Sequence, residues 1–158
     1  MSDGCGTTRS SGHASRRRED ERGAAAIEFA LIAPLLFMLV FAIIDFGFGI
    51  HAWDATHNAA REGARFGAVN PSTAQIEARV RRASDFLDQS VMSVNVQCAA
   101  EGSSSFGACG AESSWVEGDV VRVTVTYRYS YMTPLPSMVG LGTTLLVRNV
   151  SEARFEGQ

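Results

Sequence analysis

Hydropathy divides the chain into three unequal stretches. Residues 1–23 are polar or small, residues 24–44 are apolar apart from Glu28, and the sequence after Ser72 mixes polar and apolar positions as water-soluble proteins do. As a helix, residues 24–44 would rise about 31 Å at about 1.5 Å per residue, close to the roughly 30 Å hydrocarbon core of a bilayer. The pattern predicts a single membrane span followed by one extramembrane domain. A buried helix of a soluble fold is the competing reading, but the run is too long and too uniformly apolar for it.

Past the span the helical pattern continues. "DFGFGIHAWDATHNAAREGARFGAVNP" keeps small residues at Ala52, Ala55, Ala59 and Gly63 in steps of three and four, and Pro71 after Asn70 supplies a stop. Gly47, Gly49, Gly63 and Gly67 each weaken a helix by up to about 1 kcal/mol relative to Ala, so a bend is expected at residues 47–49. The small-residue stripe faces either the protein's own sheet or a neighbouring subunit. In "STAQIEARVRRASDFLDQS", Ile76, Val80, Ala83 and Leu87 fall at helical spacing, with Ser72 or Thr73 as the cap. "SVNVQC" and "DVVRVTVTYRYSY" alternate with period two, placing Val121, Val123, Val125 and Tyr127 on one face and Arg122, Thr124, Thr126 and Arg128 on a wet one. "MTPLPSMVGLG" reads as a turn-rich connection and "TTLLVRNVSEARFE" as a final strand.

The fold class is therefore α+β: a long N-terminal transmembrane helix extended outside the bilayer, then a small domain with a short helix and an antiparallel sheet of three to four strands. The expected segments are a basic leader at 1–23, the transmembrane helix at 24–50, its extramembrane continuation at 51–70 and an extracytoplasmic α+β domain at 71–158.

Charge sets the orientation. The 158 residues carry a net charge of −3, but Arg9, Arg16, Arg17, Arg18 and Arg22 all precede the span, while Arg61 and Arg65 follow it only after a gap. Basic residues stay in the cytoplasm, so the N-terminus is expected inside and the C-terminal domain outside. The leader is rich in Gly, Ser and Arg without apolar periodicity and is expected to lack regular structure. It is no ordinary secretory signal, because the apolar run is longer than a usual signal core and no small-x-small cleavage site follows it.

Glu28 is the anomaly of the span. A carboxylate there costs roughly 2.5 to 3.5 kcal/mol on the translocon scale and calls for a partner. A cut between Gly23 and Ala24 would create an α-ammonium four residues before Glu28, on the same helical face, able to pair within the chain or with a neighbour. The positive end of the helix dipole would favour the acid there as well. The alternative is that Glu28 reaches the cytoplasmic interface near Arg22.

A basic leader ending in Gly23, a small residue at Ala24, Glu28 as the fifth residue after that junction, Phe29 beside it and an apolar helix beyond resemble the class III signal of type IV pilins. More specifically, "RGAAAIEFALIAPLLFMLVFAIIDFGFGIHAWDATHNAAREGARFGA" resembles the TadE-like family, minor pseudopilins of tight-adherence (Flp) pilus systems, through "EFALIAP", "DFG" and "NAAREGAR". The resemblance implies cleavage by a prepilin peptidase after Gly23, retention in the bacterial cytoplasmic membrane and a role in building or seating the pilus. Its implied partners are the peptidase, other pilins, the assembly platform and the lipid bilayer. An uncleaved single-pass scaffold or adaptor of the same apparatus is the alternative.

Within the span, Ala26, Ala30 and Ala33 share a face on which another helix can approach closely. Pro34 removes one backbone hydrogen bond, which either eases extraction from the bilayer or sets a bend for packing. Cys98 and Cys109 bracket a Gly- and Ser-rich loop in an oxidising compartment, where a disulfide is expected, while Cys5 lies in the leader. His51 and His57 diverge by roughly 120° around the helix, so with Asp54 they make a poor metal site. Arg61, Glu62 and Arg65 are expected to form surface pairs. Arg79, Arg81 and Arg82 read as a solvated face rather than a nucleic-acid patch. The sequence holds no phosphate loop, no nucleophile elbow and no carboxylate pair in a credible catalytic setting, so no enzyme, cofactor or metal is expected.

Overall fold

The computed structural model describes residues 12–157, and the side chains of residues 23–157. Helix α1 runs from Gly12 to Gly67 with Pro34 inside it. Helix α2 spans Thr73–Ala83, and a 3-10 turn at Gln89–Val91 leads into strand β1, Met92–Ala99. Strand β2 is Gly107–Ala108, β3 is Val120–Ser130, a single turn α3 covers Leu135–Met138, and β4 is Thr144–Arg154. The four strands form one antiparallel sheet in the order β2-β1-β3-β4, so the α+β architecture read from the pattern is borne out.

The chain divides into two compact units, residues 1–42 and residues 43–158. The first, where described, is helix. Its large apolar side chains from Ile27 to Phe41 are exposed, and the segment from Gly23 is long and apolar enough to cross a membrane. The start of α1 at Gly12 corrects the expectation that the whole leader lacks regular structure: residues 12–23 are helical. Arg and Glu make up half of that stretch and are strong helix formers, a preference that needs no apolar stripe to act. The expectations for residues 1–11, Cys5 included, lie outside the described residues.

The second unit has its core between the outer part of α1, α2 and the inner face of the sheet. Ala52, Ala55, Ala59, Ala60 and Ala64 of α1 are buried against Ile76 and Val80 of α2 and against Val121, Val123 and Val125 of β3. The small-residue stripe thus faces the protein's own sheet. Two glycines explain how closely the elements approach. A Cβ at Gly63 would run into Val80 Cγ2, and one at Gly67 would lie 3.0 Å from Ile76 Cδ1 and 3.1 Å from Val121 Cγ1. Larger residues at these positions would push α1 away from α2 and β3.

Three details depart from the pattern. Helix α2 stops at Ala83, so Leu87 reaches the core from the turn that follows and not from a fourth helical position. Ser84 closes the helix instead, its hydroxyl donating to the Val80 carbonyl at 2.9 Å. Neither Ser72 nor Thr73 caps α2 with its side chain; Ser72 takes the N-cap position, and its own N–H donates to Asn70 Oδ1 at 3.0 Å. Thr124, on the face expected to be wet, is buried between its cross-strand neighbours Asn95 and Val150, as befits an inner strand.

Candidate functional site

The residues singled out in the N-terminal helix stand on a bare surface. Ala26, Glu28, Phe29 and Ala30 are exposed, and Ala33 is buried. Ala26, Ala30 and Ala33 follow one another at i, i+4 and i+7, so they line a single face of α1. Gly23 and Ala24 lie inside the helix, with no break between them. Pro34 leaves the Ala30 carbonyl without its usual intrahelical donor, a local weak point in the ladder.

The second unit is organised around an acid the sequence reading passed over. Asp45 follows directly after the apolar run and is only 5% exposed. Its Oδ1 accepts from the Met132 N–H at 2.8 Å and from the Thr133 N–H at 3.3 Å, and its Oδ2 accepts from the Thr133 hydroxyl. A buried carboxylate needs donors to compensate its lost hydration, and here the loop after β3 supplies them. The contact also fixes that loop onto α1. In the sequence Asp45 is the first charged residue after residues 29–44, an acid at the edge of the apolar run that calls for a partner as Glu28 does.

Two to three turns further along α1, a buried polar knot holds the helix to β4. Asn149 Nδ2 donates to Thr56 Oγ1 at 2.7 Å and to the Trp53 carbonyl at 3.2 Å, while the Thr56 hydroxyl returns to the Ala52 carbonyl at 2.9 Å. Elsewhere in β3 the Tyr129 hydroxyl is buried without a partner among the described residues. Burial pushes the Tyr129 phenol above its ordinary pKa, and the charge of Asp45 adds to the shift.

At the outer end of α1, Glu62 accepts from Arg79 Nε at 2.9 Å and from Arg79 Nη2, with Arg65 a weaker partner at 3.7 Å. The hydrogen bond from Arg79 holds the Glu62 carboxyl below its usual pKa. Arg79 therefore joins α1 to α2, and Arg81 pairs with Glu77 within α2 at 2.8 Å. Both arginines were expected simply to face solvent. Next to them lies an open groove of about 680 Å³, lined by Arg61, Glu62, Arg65, Glu152, Arg154 and Glu156 among others, its charges balanced. Such a surface suits polar contact with another protein more than capture of a small molecule.

The histidines do not converge. His57 stacks on Trp53 with ring centroids 5.3 Å apart, and His51 lies 5.2 Å from the Phe86 ring. Among the described residues no group of three His, Cys, Asp or Glu side chains is placed to hold a metal ion. Cys98 and Cys109 are joined in a disulfide that ties the end of β1 to the residue after β2, with Cα atoms 4.8 Å apart. Arg122 lies over the Phe106 ring at 3.4 Å, and its Nε donates to Glu152 at 2.7 Å, which fastens the cysteine loop across the outer face of the sheet.

Residues 23–65 match the family model described as TadE-like protein, and the resemblance carried by "EFALIAP", "DFG" and "NAAREGAR" is borne out. The matched segment contains Glu28, Asp45 and Glu62. Neither a curated protein nor a solved structure matches the chain.

Proposed function

We propose that this chain is a membrane-anchored minor pseudopilin of a tight-adherence (Flp) pilus system, processed by a prepilin peptidase between Gly23 and Ala24 and joined to other pilins through its N-terminal helix. The observation that carries the reading is the coincidence, within the TadE-like segment, of a long exposed apolar helix with one carboxylate, Glu28, near its start. On this reading the N-terminus lies in the cytoplasm, the sheet domain lies outside, and the protein meets the bilayer, the assembly platform and neighbouring pilins. After cleavage the new α-ammonium at Ala24 pairs with Glu28 of the same chain or of a neighbour. Ala26, Ala30 and Ala33 form the face on which the next helix packs.

One observation favours an uncleaved scaffold of the same apparatus: α1 is continuous through Gly23 and Ala24, and a peptidase must unwind that stretch before cutting. The deciding experiment is mass spectrometry of the membrane-extracted protein, with and without coexpressed prepilin peptidase. A chain starting at Ala24 only when the peptidase is present supports the pseudopilin. An intact leader in both samples leaves Glu28 at the cytoplasmic interface and favours the scaffold. Glu28→Ala then reports on assembly: the pseudopilin reading expects a folded domain that no longer copurifies with pilins.

A further inference from the structure

The loop between β3 and β4 carries an apolar surface that the fold itself does not use. Met132, Met138, Val139 and Leu141 are more than half exposed, and Leu146 at the start of β4 is 63% exposed. Between Arg128 and Arg148 no residue bears a charge, a gap of 19 positions in a domain otherwise studded with ion pairs. The location of this surface is fixed by Asp45, whose carboxylate binds the Met132 and Thr133 amides. On α1, Asp45 is flanked by exposed Ile43, Phe46, Phe48 and Ile50. Loop and helix end therefore present apolar side chains together, at the level where the apolar run of α1 gives way to polar sequence. At the base of the loop, partly buried Tyr131 packs edge-on against buried Tyr129, with centroids 5.7 Å apart, so the loop leaves the sheet from a fixed point.

We propose that residues 132–141 form a second membrane contact, a loop that enters the interfacial layer of the bilayer spanned by α1. The inference rests on the reading of α1 as a membrane span. Lipid is the occupant because the surface is uncharged, continuous with the apolar end of the helix, and tethered to it by a carboxylate whose hydrogen bonds are met within the protein. Membrane-facing loops with exposed Met, Val and Leu bind in proportion to the apolar area they bury. Asp45 then has a double use: it lets the chain keep an acid at the membrane surface, and it sets the depth of the loop.

The test uses the full chain with Cys5→Ser, the Cys98–Cys109 bridge intact, and one nitroxide label attached at Met138→Cys or, in a second variant, Val139→Cys. Both positions are exposed, so the label displaces no core residue. The protein is reconstituted sparsely in vesicles of phosphatidylethanolamine and phosphatidylglycerol, and collisions with oxygen and with a neutral nickel chelate are measured. Control labels at Leu39→Cys and Ser104→Cys report the span and the aqueous domain. The expected result is loss of nickel broadening with oxygen broadening retained at 138 and 139, as at 39 and unlike 104. Nickel access equal to that at 104 overturns the loop contact while leaving the span intact. Shielding from both reagents overturns it in favour of a protein partner or a second copy. Nickel access at 39 overturns the span and the loop contact together.

Discussion

Asp45→Ala removes a carboxylate oxygen from two backbone N–H groups and a second one from the Thr133 hydroxyl. Hydrogen bonds to a charged group are worth about 1.5 to 3 kcal/mol each, and a buried donor left unmet costs about 1 to 3 kcal/mol. Three such bonds do not add fully, because they share one acceptor group and because removing the carboxylate also removes the cost of its burial. The net loss should be about 2 to 4 kcal/mol, concentrated on the loop after β3. Hydrogen exchange on the full chain in detergent reads this directly: the Met132 and Thr133 amides should exchange roughly 30 to 700 times faster in the variant, at about 1.4 kcal/mol per factor of ten. Asp45→Asn is the informative partner variant. Its amide oxygen still accepts from both N–H groups, and its NH2 can donate to the Thr133 oxygen, so only the charge is lost and exchange should quicken by less than about tenfold. Unchanged exchange at residues 132 and 133 in Asp45→Ala would refute the anchor. So would equal acceleration in the two variants, since that would mean the hydrogen-bond geometry is irrelevant.

Three further outcomes follow from the packing. Gly63→Ala should destabilise by about 1 to 3 kcal/mol through overpacking against Val80 and Val123, outweighing the helix preference of Ala, and Val80→Ala in the same chain should recover part of the loss in a thermal melt. Asn149→Ala should cost about 1 to 3 kcal/mol, because it strips donors from Thr56 and from the Trp53 carbonyl at the α1–β4 contact; Thr56→Ala in that background should then add less than it does alone. Glu62 has a folded pKa held below its unfolded value, chiefly by the bond from Arg79, so its contribution is present above the unfolded value of about 4.3 and fades as pH falls through the folded one. Urea titrations should show Glu62→Gln less stable than the parent by under about 1 kcal/mol at neutral pH, the pair being partly exposed, with the difference gone in strong acid.

What could be read in the sequence was what local periodicity encodes. Val121, Val123 and Val125 alternate with polar residues and do line the core, and the steps of three and four from Ala52 to Gly63 mark the face of α1 that meets them. What stayed hidden depends on partners far along the chain. Asp45 meets Met132 at a separation of 87 residues and Asn149 meets Thr56 at 93, and no spacing rule connects them. Glu62 shows the boundary between the two cases. Its weak i, i+3 contact with Arg65 follows from helix geometry, whereas its stronger pair with Arg79 depends on how α2 folds back. The helical leader from Gly12 was missed for a different reason, since helix propensity without an amphipathic stripe leaves no periodic trace.

The alanines of α1 have one more consequence. Ala52, Ala55, Ala59, Ala60 and Ala64 are the surface on which β3 and α2 close, so the sheet and the short helix lack a floor without them. A protease nicking the chain between residues 51 and 70 would not liberate a working head from its stalk; it would take away the wall of the core and leave the remainder to unfold. Release of an intact domain needs a cut on the N-terminal side of Ala52, where Asp45 pins the neighbouring loop and apolar side chains crowd the helix. The helix from Ala52 onward is thus part of the domain it leads into, and trimming it away cannot leave an independent fold behind.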